Sequence, residues 1–122
     1  MICIFSLNAF ILCLIFMQQL LHYFLHLIFP GFVAYRFFKS KWKKAYFIML
    51  ATMLVDLDHL IATPVFDACR CSIGFHPLHT YAAIAVYFIF LIPSQTRVIA
   101  LGLLLHMATD LIDCVISRQS CV

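Results

Sequence analysis

Glutamate is missing from this chain of 122 residues, whose five acidic positions are Asp56, Asp58, Asp67, Asp110 and Asp113. Any carboxylate that binds a cation or moves a proton must therefore be an aspartate. Charge as a whole is scarce, at 11% of residues, against about 25% in an ordinary soluble domain. That shortage excludes a typical soluble surface. The six cysteines (Cys3, Cys13, Cys69, Cys71, Cys114, Cys121) include no Cys-x-x-Cys pair, which removes the thiol redox motif, the zinc ribbon and covalent c-type haem attachment. Cys3 and Cys13 read as small apolar residues. The net charge of +3 comes mostly from Lys39, Lys41, Lys43 and Lys44. One short basic run marks membrane topology rather than a track for nucleic acid, so no nucleic-acid partner is expected.

What the chain has in abundance is apolar surface, 66% of residues with 13 phenylalanines. Residues 20–38, 45–63, 76–93 and 98–116 each approach the ~20 residues that cross a bilayer as a helix. The expectation is an all-α membrane protein, a bundle of four transmembrane helices over residues 18–122. Residues 1–17 form an apolar N-terminal extension or an extra span. Pro30-Gly31 predicts a kink within the first span, because membrane helices tolerate such breaks where neighbours satisfy the backbone. The basic turn 39–44 and Arg97 fall on one side, which the positive-inside rule assigns to the cytoplasm. Loop 64–75 then faces outward, and the chain is expected to be a multi-pass protein of a bacterial inner membrane with lipid as its surrounding partner.

Nearly all the histidines and aspartates lie inside or at the mouth of these spans. A charged side chain at the bilayer centre costs about 2.5–3.5 kcal/mol on insertion scales, so such groups need partners. His22 and His26, four apart, share a helix face. In the run DLDH, Asp56 and His59 share a face while Asp58 points away, which leaves Asp58 to orient a ligating histidine or to bind after local unwinding. His76 and His79 open the third span around Pro77, a favoured first helical residue. His106, Asp110 and Asp113 keep one face of the fourth span through offsets of four and seven. Under the expected threading all these groups meet in the outer half of the bilayer.

Imidazole with carboxylate oxygen suits a divalent metal ion, namely zinc, manganese or iron, and the donor count allows one ion with a rich surround or two. His22, His26, Asp56, His59, His79, His106 and Asp110 are the candidate ligands. Asp58, His76 and Asp113 are the candidate catalytic groups, with Asp58 or Asp113 as base or orienting carboxylate and His76 as acid. Arg70 in the outer loop is placed to hold an anionic headgroup. A Cys71–Cys114 disulfide fits an oxidising exterior.

The order H-x-x-x-H, DLDH, HPLHT and LHMATD resembles the YdjM-like family of bacterial membrane-bound metal-dependent hydrolases. The stretch from Gln18 to Cys114 is more similar still to a related, uncharacterised bacterial inner-membrane family. The resemblance implies a helical membrane fold and metal ligands among His22, Asp56, Asp58, His59, His76, His79, His106 and Asp110. The chain departs from the hydrolase family's third motif, where the usual arginine and threonine-histidine pair are replaced by Pro77 and Leu78-His79. The expected function is a membrane metal-dependent hydrolase acting on a lipid-borne phosphoester, another ester or a small-molecule substrate. Its rivals are a metal-ion binding or transport protein without hydrolysis and a bis-histidine haem protein. The oligomeric state is left open.

Overall fold

The computed structural model describes residues 7–65, 67 and 69–120. Cys3 and the first six residues of the expected 1–17 segment lie outside the described residues. Regular structure is helical throughout the described residues, with no strand among them. Helix α1 spans Leu7–Tyr23 and passes through residue 17 without a break. It continues through a π-helical turn, Phe24–Ile28, into α2, Phe29–Phe38. Pro30 explains the wide turn. A proline has no N–H to offer the carbonyl four residues back, and its ring would collide with that carbonyl, here that of His26. The backbone relaxes by pairing Phe29 N–H with the Phe24 carbonyl, five residues back. The expected kink is thus a π turn, and it carries His26 into the interior.

The basic run makes the expected turn. A short 3-10 segment, Lys39–Lys41, reverses the chain into α3, Trp42–Ala51. Helices α2 and α3 pack as an antiparallel hairpin around Val33, Ala34, Ala45 and Met49, and Tyr46 Oη donates to the Leu27 carbonyl at 2.9 Å.

At Thr52 the α-helix tightens into ten residues of 3-10 helix, Thr52–Ile61. With three residues per turn, every third side chain shares a face. Thr52, Val55 and Asp58 are buried, while Leu54, Leu57 and Leu60 project outward at 60–67% exposure. Runs of 3-10 helix beyond three or four residues are uncommon and often mark a functional segment.

The third expected span is not a full helix. Residues 77–79 form a single 3-10 turn, Thr80 is extended, and its hydroxyl accepts the Ala83 N–H to start α4, Tyr81–Ile89. Nine residues at 1.5 Å each reach about 14 Å, roughly half of a bilayer's hydrocarbon core. Helix α5, Arg97–Ser120, contains the whole fourth expected span. Two helical stretches are long and apolar enough to cross a membrane, Ala9–Ile61, which doubles back at Lys39–Lys41, and Arg97–Ser117.

Helix α5 approaches α3 closely at Gly102, where an added Cβ would sit 2.8 Å from Thr52 Oγ1 and 3.0 Å from Met49 Cα. A second apolar cluster, Val55, Tyr87 and Met107, joins the 3-10 segment to α4 and α5. The burial pattern is inverted relative to a soluble domain. Large apolar side chains line the outside, whereas His26, Asp58, His76, His79, His106, Thr109 and Asp110 are buried.

Candidate metal centre

Asp56, His79, His106 and Asp110 bring one donor atom each to a common point. The long 3-10 helix supplies Asp56, the short turn before α4 supplies His79, and α5 supplies His106 and Asp110. His106 Nε2 lies 3.0 Å from Asp56 Oδ1 and 3.5 Å from Asp110 Oδ2. His79 Nε2 lies 3.4 Å from Asp56 Oδ1, 3.1 Å from Asp110 Oδ2 and 3.4 Å from His106 Nε2. Donors set tetrahedrally at about 2.0–2.1 Å from a divalent ion stand about 3.3 Å apart, so the spacing matches the edges of such a cage. Two imidazole nitrogens and two carboxylate oxygens at this spacing repel one another unless positive charge lies between them. Asp110 Oδ2 is buried with no hydrogen-bond partner, as expected of an oxygen reserved for a cation. The donor set fits a divalent metal ion.

The surrounding contacts orient the cage. His79 Nδ1–H donates to Asp58 Oδ2 at 3.1 Å, and the same oxygen accepts the Leu78 N–H at 2.8 Å. With its proton on Nδ1, His79 presents the Nε2 lone pair to the cage, the carboxylate–histidine arrangement usual at metal sites. His26 Nε2 lies 3.3 Å from Asp110 Oδ1, the oxygen turned away from the cage. His59 Nδ1–H donates to Asp58 Oδ1 at 3.0 Å, and its Nε2 accepts from the Ser72 hydroxyl at 3.1 Å.

Of the seven expected ligands, Asp56, His79, His106 and Asp110 therefore converge. His26 and His59 stand one layer behind, with both nitrogens of His59 engaged. His22 is drawn to Asp113, where the two side chains form an ion pair. Among the expected catalytic groups, Asp58 sits behind His79 as its orienting carboxylate. His76 stacks on His59 with ring centroids 3.7 Å apart. It precedes α4 in the connecting segment, where burial and the neighbouring His59 imidazole hold its pKa below the ordinary histidine value. Asp58, His59 and His76 themselves form a second group that could hold a metal ion.

Ser72 is a contact that reasoning from sequence missed, since nothing marks a loop serine as the partner of a histidine 13 residues earlier. The 3-10 geometry was also missed, although Leu54, Leu57 and Leu60 repeat with its period of three.

Asp56, Asp110 and the His22–Asp113 pair line a cavity of about 610 Å³ together with His59, Arg70 and His76. One wall is the Cys71–Cys114 disulfide, with Cα atoms 5.0 Å apart, which ties the outer loop to α5. Cys13 is disulfide-bonded as well, as is Cys69, so Cys13 is not merely an apolar filler.

The fold and site define a helical, externally apolar chain built around a buried His/Asp centre. The chain belongs to the family of unknown function DUF6122, whose pattern it matches over residues 16–117. That membership agrees with the expected uncharacterised family and gives no specific support to the YdjM-like one. No curated protein and no solved structure matches the chain.

Proposed function

We propose that this chain is a multi-pass membrane hydrolase that works through a divalent cation held by Asp56, His79, His106 and Asp110. The inverted burial, the two membrane-length stretches and the basic turn support an inner-membrane placement with four chain passes, the third only partly helical, and with the centre in the outer half. The observation that carries the reading is that the cage is not sealed. Asp56, with a side chain 41% exposed, and Asp110 both border the cavity that also holds the His22–Asp113 pair.

A divalent cation at this position supplies Lewis acidity and lowers the pKa of water from 15.7 to about 7. The chain's own groups do the rest. Asp113, ion-paired with His22, accepts the proton of the attacking water. His76, held neutral by its buried surroundings, donates a hydrogen bond to the leaving oxygen, which takes its proton from solvent water as the ester bond breaks. Asp58 and His26 keep His79 and Asp110 aimed, so that little reorganisation is needed during the reaction. The substrate is an ester that reaches the cavity from the membrane or from the outer aqueous side.

A second reading draws on the count of donors. Four protein ligands already complete a tetrahedron, whereas catalytic zinc sites commonly use three and leave one position open. That geometry favours a metal-ion binding or transport protein without hydrolysis. Elemental analysis of the purified full chain and of His106→Ala, followed by esterase and phosphatase assays in detergent, separates the two. The hydrolase reading expects bound metal in the wild type, little in the variant, and metal-dependent ester cleavage. Tightly bound metal with no cleavage of any ester class would replace it with the carrier reading.

A further inference from the structure

Arg70 lines the cavity as a permanent cation that the cage leaves unused. Its guanidinium rests 4.8 Å from the centroid of the Phe75 ring and donates from Nη2 to the Val65 carbonyl at 3.0 Å. No carboxylate pairs with it among the described residues. An arginine carries five N–H donors in a rigid fork matched to the oxygens of an anion, so most of its donors remain available.

Its position is also fixed relative to the cage. The next residue, Cys71, is bonded to Cys114 on α5, the helix that contributes His106 and Asp110. Arg70 and the ligands Asp56 and Asp110 therefore line one cavity across a covalent tie.

We propose that Arg70 is an anion subsite that makes this centre selective for the phosphoryl group of a phosphoester, held between the guanidinium and the cation. The inference rests on the hydrolase reading and narrows its substrate class. A neutral carboxylic ester presents one polarised carbonyl oxygen and gains little from a second full positive charge. A phosphoryl group carries several anionic oxygens and satisfies a cation and an arginine fork together. The same chemistry is offered by a phospholipid headgroup and by a soluble phosphate ester.

The test measures binding by metal-loaded full chain in detergent, using inorganic phosphate, glycerol phosphate, and phosphatidic acid in mixed micelles as separate probes. Wild type is expected to bind phosphate, Arg70→Gln to bind it at least tenfold more weakly with unchanged cation content, and Arg70→Lys to fall between. Unchanged cation content and an intact Cys71–Cys114 bond exclude misfolding as the cause. Preference for phosphatidic acid over glycerol phosphate would assign the lipid source, and the reverse the soluble one; both support the subsite. Equal phosphate binding by wild type and Arg70→Gln, or no binding by metal-loaded wild type, overturns it. Arginine-dependent phosphate binding without hydrolysis would retain the subsite and reject the hydrolase. Hydrolysis of carboxylic esters without phosphate binding would do the opposite.

Discussion

Asp58 and His79 are joined through Asp58 Oδ2 and His79 Nδ1 at 3.1 Å, across 21 residues of sequence. The bond sets the tautomer of His79 and thereby decides which of its nitrogens faces Asp56, His106 and Asp110. Both partners are almost fully enclosed, so the hydrogen bond has little competition from water.

Asp58→Asn should keep the fold and weaken the cation. The amide can still accept the Leu78 N–H, but it no longer carries the charge that holds the His79 proton in place. Loss of such an outer partner typically costs about 10–100-fold in metal affinity. Chelator competition on the purified variant measures this. An unchanged dissociation constant would mean that Asp58 does not act through His79.

Cation binding should raise thermal stability, because the cage forms only when the 3-10 segment, the turn before α4 and α5 are docked together. A ligand at 100 times its dissociation constant adds about 2.7 kcal/mol to a folded state that alone binds it. Chelator-treated protein should melt earlier than the cation-loaded form in detergent. His106→Ala should show no difference between the two conditions. A shift that survives in this variant would place the cation elsewhere.

Gly102→Ala should destabilise the bundle by about 1–3 kcal/mol, the usual range for overpacking. The new methyl would press on Thr52 Oγ1 and on the Met49 backbone, and backbone cannot step aside as a long side chain can. Thermal melting in detergent provides the measurement. Wild-type stability in this variant would show that α3 and α5 separate without penalty.

Paired serine replacement of Cys71 and Cys114 should lower stability by about 2–4 kcal/mol, the common range for a disulfide closing a loop. The two residues are 43 apart in sequence. The segment 62–80 should also become more accessible to protease, since the covalent tie to α5 is gone. Limited proteolysis of oxidised wild type beside the variant reads the effect directly. Identical cleavage patterns would show that packing alone secures the loop.

Much of the candidate centre was legible in the residues themselves. His106 and Asp110 lie one helical turn apart in a regular α-helix, so their shared face follows from spacing. The turn at Lys39–Lys41 and the break around Pro30 were readable for similar reasons, since each depends on local chemistry. His59 shows where such reading ends. Its spacing from Asp56 gives a shared face, and its Nδ1 does lie 3.5 Å from Asp56 Oδ1, yet its nearer partners are Asp58 and Ser72, which keep it out of the cage. His22 stands beside His26 as the spacing predicts, with ring centroids 4.4 Å apart, but its hydrogen-bonding partner is Asp113, 91 residues away. The third segment misled because its hydropathy extends beyond its helix. Pro77 and the extended Thr80 delay the helical start to Tyr81.

Composition and local spacing account for the helical class, the apolar exterior and the set of side chains able to meet a cation. Which four donors converge, which histidines stand behind them and where the cavity opens follow from the packing of distant segments. Those outcomes depend on how three separate backbone elements dock, and a separation of 3 Å between atoms tens of residues apart is set by packing rather than by any local propensity.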